Sequence, residues 1–429
     1  MNKSDAQRIA GMLTNAGYEQ TNSDKDADLL LLCTCAIRQT SVDKAYSQLG
    51  VWGKRKKKYK PDLKIGICGC VAELDKESLF KRRPYLDLIF GTHNIFKFPE
   101  FLERINNGEQ VCEITTKPFP EPEDDLNVLR DNAVGAWIPI IEGCNNFCTY
   151  CVVPYTRGRE RSRKPELIIS EAEKALASGK KEITLLGQNV DSYGKDFDDP
   201  NITLANLLRQ LNKIEGEFRI RFVTSYPTDI TDDLIEAVAE CDKVCEYFHI
   251  PMQSGNDKVL KEMNRRYNRA RYSEIVGKIR NKFADVAITS DFIAGFPGET
   301  EEEFRDTLSA IEELKLDYSN TAIYSPRPFT KAGKMTDRFI PDEIKAERHD
   351  RLQAVNAKMC LESNMKFKDR IVEILCESSR AQDDGVFAVT GRMRNNKLVH
   401  FKSNEDLTGK FVNVKIVKPQ TWCLYGEKV

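Results

Sequence analysis

Between Val134 and Ala357 six short strand-like runs alternate with helix-like stretches, and this alternation constrains the fold more than any other feature. The runs are Ala136–Ile141, Glu182–Leu186, Arg219–Thr224, Tyr247–Ile250, Ala287–Ile293 and Asn320–Tyr324. Strands joined through helices pair in parallel, and six such units fit an open (βα)6 barrel. In barrels of this kind functional groups sit on loops at the C-terminal ends of the strands. Cys144, Gln188, Ser225 and Gln253 all fall at such ends.

The flanking segments differ. Lys3–Ala16 has a helical pattern, Ala27–Cys33 reads as a buried parallel strand, Ser41–Tyr59 as a charged helix, and Leu63–Cys68 as a second strand. This predicts an α/β unit with a parallel sheet over residues 1–114. Such a unit ordinarily opens on a strand, so a first strand is expected upstream of Met1. Thr115–Asp125 is rich in proline and acid, and 115–133 reads as a linker. Residues 134–363 then form the barrel domain. The final segment, 364–429, carries short β-rich runs at Arg370–Leu375, Phe387–Thr390, Leu398–Phe401 and Phe411–Ile416. Turn signals such as Asp383-Asp-Gly385 separate them, which predicts a small antiparallel β-barrel. The fold class is therefore α/β with an appended all-β domain.

Composition narrows the function. No apolar run approaches the roughly 20 residues that a bilayer-spanning helix needs. The N-terminus lacks the apolar core of a secretory signal. Thirteen cysteines in a 429-residue chain without an export signal read as metal ligands and free thiols in a reducing, cytoplasmic setting. The net charge of −1 excludes a globally basic nucleic-acid binder. From Phe367 to Val429, however, 11 Lys and Arg face 8 Asp and Glu, a local balance of +3. Local basic surface is what meets phosphate.

Cys144-Asn-Asn-Phe-Cys148-Thr-Tyr-Cys151 carries the chemistry. A structural zinc site wants four protein ligands, usually in CxxC pairs. Three thiolates on one loop can instead hold three irons of a [4Fe–4S] cluster. The fourth iron then stays open to a small molecule.

This CxxxCxxC spacing resembles that of the radical S-adenosylmethionine (SAM) superfamily, and the likeness continues beyond the loop. Glu142–Arg163, Leu185-Leu-Gly-Gln-Asn-Val-Asp-Ser-Tyr-Gly194, His249-Ile-Pro-Met-Gln-Ser-Gly255 and Asp291-Phe-Ile-Ala-Gly-Phe-Pro-Gly-Glu299 are similar, in the same order, to the bacterial methylthiotransferases that modify isopentenyl-adenosine in tRNA. The resemblance covers essentially the whole chain. It implies that the barrel is a radical SAM domain and that the last domain is a TRAM domain. The expected activity is addition of a methylthio group to C2 of the modified adenosine beside the anticodon.

The resemblance also implies residue roles. Cys144, Cys148 and Cys151 would hold the first [4Fe–4S] cluster, whose open iron chelates SAM. Reductive cleavage of SAM would then supply the radical that takes hydrogen from an unactivated C–H bond. Tyr150, Gly187, Gln188, Ser225 and Asp291 are candidate SAM contacts, with barrel-rim hydrogen bonding or helix capping as the alternative for Ser225 and Asp291. Cys35 and Cys70 match two of three ligands of an auxiliary [4Fe–4S] cluster, the source or carrier of the inserted sulfur. The third normally lies in a Gly-Cys-Gln-Met-Asn stretch, of which Met1-Asn2 would be the end. A truncated N-terminus is the expected reason, with Cys33 or Cys68 as substitutes otherwise; by themselves these two read as packing residues. The implied partners are the tRNA anticodon stem-loop and an electron donor of flavodoxin or ferredoxin type, for a monomeric enzyme with no membrane partner.

Other residues carry weaker signals. Lys54–Lys60 and Arg157, Arg159, Arg161 and Arg163 are candidates for RNA phosphate or nucleotide contact, and Arg392, Arg394, Lys397 and Phe401 for a platform on the last domain. His93, His249, His349 and His400 lack metal-ligand spacing, and Cys241 and Cys245 read as packing residues. Two rival functions share much of this layout. One is methylthiolation of an aspartate in a ribosomal protein; Asn145-Asn146-Phe147 and Thr224-Ser-Tyr-Pro227 favour the tRNA enzyme, while Pro328-Phe-Thr-Lys331 departs from its usual pattern. The other is an RNA-binding iron–sulfur protein without turnover.

Overall fold

In the computed structural model, which describes residues 1–115, 127–383 and 385–429, the helix α1 (Asn2–Asn15) leads into the strand β1 (Leu29–Thr34). Helix α2 (Gln39–Lys58) buries Ala45, Leu49 and Trp52 at helical spacing and ends on four basic residues that suit its C-terminal dipole. Strand β2 (Lys64–Gly69) pairs in parallel with β1, placing Cys33 opposite Cys68 and Thr34 opposite Gly69. Helix α3 (Cys70–Asp75) follows at once. Two further parallel strands, β3 (Leu88–Phe90) and β4 (Val111–Glu113), complete a sheet of order β1-β2-β3-β4. Their shortness hid them in the sequence, since three residues carry no periodicity. Ile65, Ile67 and Ile89 pack one face of this sheet; Leu88, Phe90, Phe98 and Phe101 pack the other. Residues 116–126 of the expected linker lie outside the described residues.

The chain divides into two compact units. One contains Met1–Asp131, Glu142–Glu160 and Ser325–Lys334. The loop with Cys144, Cys148 and Cys151 thus belongs to the unit built on the N-terminal sheet. In it the short helix α4 (Val153–Thr156) packs against α3, and Val152 enters the core beside Val71 and Ala72.

The second unit holds six parallel strands: β5 (Gly135–Pro139), β6 (Glu182–Leu186), β7 (Arg219–Phe222), β8 (Tyr247–His249), β9 (Ala287–Ala294) and β10 (Tyr318–Ile323). They stand in chain order as two three-stranded sheets, β5-β6-β7 and β8-β9-β10. The seam is closed by the bridge between Ile220 and Val244 and by the Ser225 N–H, which donates to the His249 carbonyl at 2.9 Å. The expected open (βα)6 barrel is therefore present, with strand ends displaced by no more than two residues. Cys241 and Cys245 are buried in it, as packing residues should be.

After helix α5 (Asp342–Met365) come β11 (Ile371–Ala381), β12 (Phe387–Arg392), β13 (Leu398–Ser403), β14 (Phe411–Pro419) and β15 (Leu424–Lys428). They close a barrel of order β11-β12-β13-β15-β14. It is not wholly antiparallel: β15, unanticipated from sequence, pairs in parallel with β13 through Val399–Leu424 and His400–Tyr425.

The two barrels share the second unit through buried arginines. Arg219 donates to the Arg392 carbonyl at 2.8 Å and to Glu373 Oε1 at 2.6 Å. Arg221 donates to the carbonyls of Met393, at 2.8 Å, and Arg394, at 2.5 Å.

Candidate active site

The three-cysteine loop is shaped by its neighbours in sequence. Gly143 has φ +81°, and a Cβ there would collide with the Arg159 carbonyl, so only glycine fits before Cys144. The Cys144 N–H donates to the Gly158 carbonyl at 3.1 Å, and Cys151 N–H to the Cys148 carbonyl at 3.0 Å. Phe147 takes a left-handed φ of +47°, and the Arg159 guanidinium lies 4.5 Å from the centre of its ring. Asn145 holds Glu160 through its N–H at 3.2 Å and its side-chain amide at 3.1 Å. Asn146 Nδ2 donates to Cys144 Sγ at 3.5 Å, and burial pushes this thiol up to about 11.

None of the three cysteines is in a disulfide. Among the described residues, no three His, Cys, Asp or Glu side chains converge closely enough to hold a single metal ion. A cubane is ligated at separate corners, so its cysteines need not crowd one point. An all-thiolate donor set suits it.

Cys35 and Cys70 stand just beyond the ends of the paired strands β1 and β2, in the same unit as the loop. Gly69, with φ +88° and no room for a Cβ against the Thr34 carbonyl, turns the chain sharply into α3 at Cys70. Two arginines flank the pair. Burial opposes the charge of Arg157, yet Asp5, Cys70 and Glu142 together raise it above its ordinary value. Its Nη2 donates to Asp5 Oδ2 at 2.5 Å, both side chains being 4% exposed, while Nη1 is buried without a partner. Burial lowers Arg327, with Cys35 partly offsetting it; Arg327 Nε donates to the Ala36 carbonyl at 2.9 Å. Neither Asp5 nor Arg327 stood out in the sequence, because nothing local marks a partner 152 or 291 residues away.

In the barrel unit Gly187 and Gln188 follow β6, and a Cβ on Gly187 would crowd the Ile141 side chain. Ser225 is buried, its hydroxyl bonded to Asp191 Oδ1 at 3.1 Å. Burial pushes Asp191 up to about 8, against the bonds it accepts from Ser225 and the Tyr226 N–H. Asp291 lies 3.3 Å from His249 Nε2 and accepts from Asn320 Nδ2 at 2.9 Å. His249 Nδ1 meets Thr289 Oγ1 at 2.9 Å, which in turn bonds Tyr247. The result is a polar ladder across β8, β9 and β10.

Several RNA candidates are committed elsewhere. Arg157 and Arg163 are buried on Asp5 and Glu171. Arg394 pairs with Glu246 at 2.7 Å, Lys397 is buried on Ser363 and Asn364, and Phe401 is in the small barrel's core. Of these, Arg394 and Lys397 tie the small barrel to the rest of its unit. Alternation in the strands and turns did not reveal which face a second domain would cover. In the basic run, Arg55, Lys56 and Lys60 pair with Asp24, Asp87 and Asp28, whereas Lys54, Lys57 and Lys58 are exposed.

Comparison with known proteins agrees with this organisation. Residues 138–311 match the radical SAM superfamily, and residues 1–91 match the uncharacterized protein family UPF0004. A tRNA-2-methylthio-N(6)-dimethylallyladenosine synthase of Clostridium beijerinckii is 46% identical over 430 residues, covering 100% of this chain and 93% of the relative. That of Clostridium perfringens is 47% identical, covering 100% and 95%. That of Thermoanaerobacter pseudethanolicus is 46% identical, covering 100% and 90%. Among solved structures, the radical SAM methyltransferase TsrM of Kitasatospora setae has a TM-score of 0.56 at 14% identity, over 76% of this chain and 73% of that one, a likeness of fold alone. Motif order, fold and full-length identity together place this chain in the family of the tRNA-2-methylthio-N(6)-dimethylallyladenosine synthases, within the radical SAM superfamily.

Proposed function

We infer that the protein is a radical SAM methylthiotransferase that adds a methylthio group to C2 of N6-dimethylallyl-adenosine next to the anticodon of tRNA. Identity of 44–47% to synthases of that name, over the full chain, carries this reading. The carbon to be functionalised bears an unactivated C–H bond, which side-chain acids and bases do not break.

Cys144, Cys148 and Cys151 are the proposed ligands of a [4Fe–4S] cluster that, when bound, holds SAM and delivers the electron that cleaves it. The chain's own part is to position and to exclude water. Gly143 and the Asn145–Glu160 bonds fix the loop's entry and exit. Tyr150, Gly187, Gln188, Ser225 and Asp291 are proposed to line the SAM site, with Asp191 fixing Ser225 and His249 fixing Asp291. Cys35 and Cys70 are proposed ligands of an auxiliary cluster. Arg157, with its unpartnered buried Nη1 and the attraction of Cys70, fits an anionic group there. An electron donor of flavodoxin or ferredoxin type is the expected partner. No helix among the described residues is long and apolar enough to cross a membrane.

Iron and acid-labile sulfide per chain after anaerobic reconstitution test the assignment. Two clusters predict about 8 iron in the wild type and about 4 after Cys144, Cys148 and Cys151 are all changed to Ala. About 4 and almost none would remove the second cluster from the reading. In parallel, the wild type should convert prenylated tRNA to its methylthio form, and the triple variant should not.

A further inference from the structure

Cys33 and Cys68 stand apart from the cluster cysteines. They are register partners on the parallel strands β1 and β2, and Cys68 Sγ donates to Cys33 Sγ at 3.1 Å. Both pack on the sheet face that carries α1, with Ile9, Leu88 and Phe98; Cys70 packs on the opposite face with Val71 and Ile65. The sheet itself therefore separates Cys70 from the Cys33–Cys68 pair. We propose that Cys33 and Cys68 form a dithiol that peroxide oxidises to a disulfide, a redox site distinct from the cluster ligands.

Geometry permits the bond. Neighbouring strands lie about 4.8 Å apart, inside the roughly 4.4–6.8 Å that a disulfide spans between Cα atoms. Access is one-sided. Cys33 is half-buried and lines a groove of about 780 Å3 together with Ile9, Leu29 and Leu31, whereas Cys68 is only 2% exposed. Hydrogen peroxide reaching Cys33 transfers one oxygen to its sulfur, giving a sulfenic acid and one water. The Cys68 sulfur then attacks that sulfur, and the hydroxyl departs with the Cys68 proton as a second water. Overall two thiols lose two electrons and two protons, and peroxide becomes two waters. A resolving thiol this close also stops Cys33 from passing on to the irreversible acids. The bond would clamp β1 to β2 immediately before the turns that carry Cys35 and Cys70.

The test uses the reconstituted full-length protein, treated with stoichiometric hydrogen peroxide, alkylated and digested with trypsin without reduction. Mass spectrometry should find the peptide of residues 26–38 linked to that of 65–76. The link should vanish in Cys33→Ser and in Cys68→Ala, and persist when Cys35 and Cys70 are both changed to Ser. Its absence from the wild type overturns the proposal. So does its survival in either of the first two variants, or its loss in the Cys35/Cys70 variant.

Discussion

The Arg157–Asp5 pair ties the three-cysteine loop to α1 through charges that have left water. Removing one partner of such a pair costs more than the pair contributes, because the other charge stays buried. Arg157→Met should therefore destabilise the protein by about 3–5 kcal/mol, read as a lower urea midpoint. A midpoint within about 1 kcal/mol of the wild type would show that the pair does not hold the loop. Asp191 offers a pH test. Its carboxyl, at about 8 in the folded protein and near 4 unfolded, keeps its proton only in the fold through that window. Its stabilising contribution is complete below about pH 4 and is lost as pH rises toward 8, at about 1 kcal/mol per pH unit. Asparagine can accept from the Tyr226 N–H and donate to Ser225 but has no proton to lose. Asp191→Asn should gain stability relative to the wild type between pH 5 and 8, and a constant difference would refute the assignment.

At the scale of elements, the cysteine loop depends on backbone more than on its own side chains. Gly143 enters it left-handed against the Arg159 carbonyl, and Phe147 turns it left-handed again under Arg159. Gly143→Ala meets both the φ penalty and the overlap, a cost of about 2–3 kcal/mol placed where the loop must hold its shape. The expected result is a soluble protein that retains about half the wild-type iron. Full iron retention would mean that the loop relaxes without loss. The sheet makes a similar use of Gly69, which ends β2 and starts α3 on Cys70. In both places a glycine of positive φ immediately precedes the cysteine.

Across the whole molecule, the small barrel is structural as well as appended. The carbonyls of residues 392–394 take hydrogen bonds from Arg219 and Arg221, which are 1% and 3% exposed on β7. Lys397 is likewise buried on Ser363 and Asn364 of α5. Deleting residues 366–429 would leave Arg219 and Arg221 without those acceptors. The shortened chain should melt at least about 5 °C below the full one. An unchanged melting temperature would make the small barrel a separable domain.

The sequence alone determined the six-strand barrel, the parallel sheet ahead of it and the β-rich last domain. It did so because periodicity and turn residues act over a few neighbours. The proposed role of Cys144, Cys148 and Cys151 likewise rests on sequence, in their spacing along a single loop. Tertiary structure decided which distant groups meet: Asp5 with Arg157, Ala36 with Arg327, Asp191 with Ser225, Cys33 with Cys68. It also turned Arg394 and Lys397 from candidate RNA contacts into the join between two barrels. A charged side chain looks the same in sequence whether it faces phosphate or a buried carbonyl. Burial makes that choice, and burial is set by elements far apart in the chain.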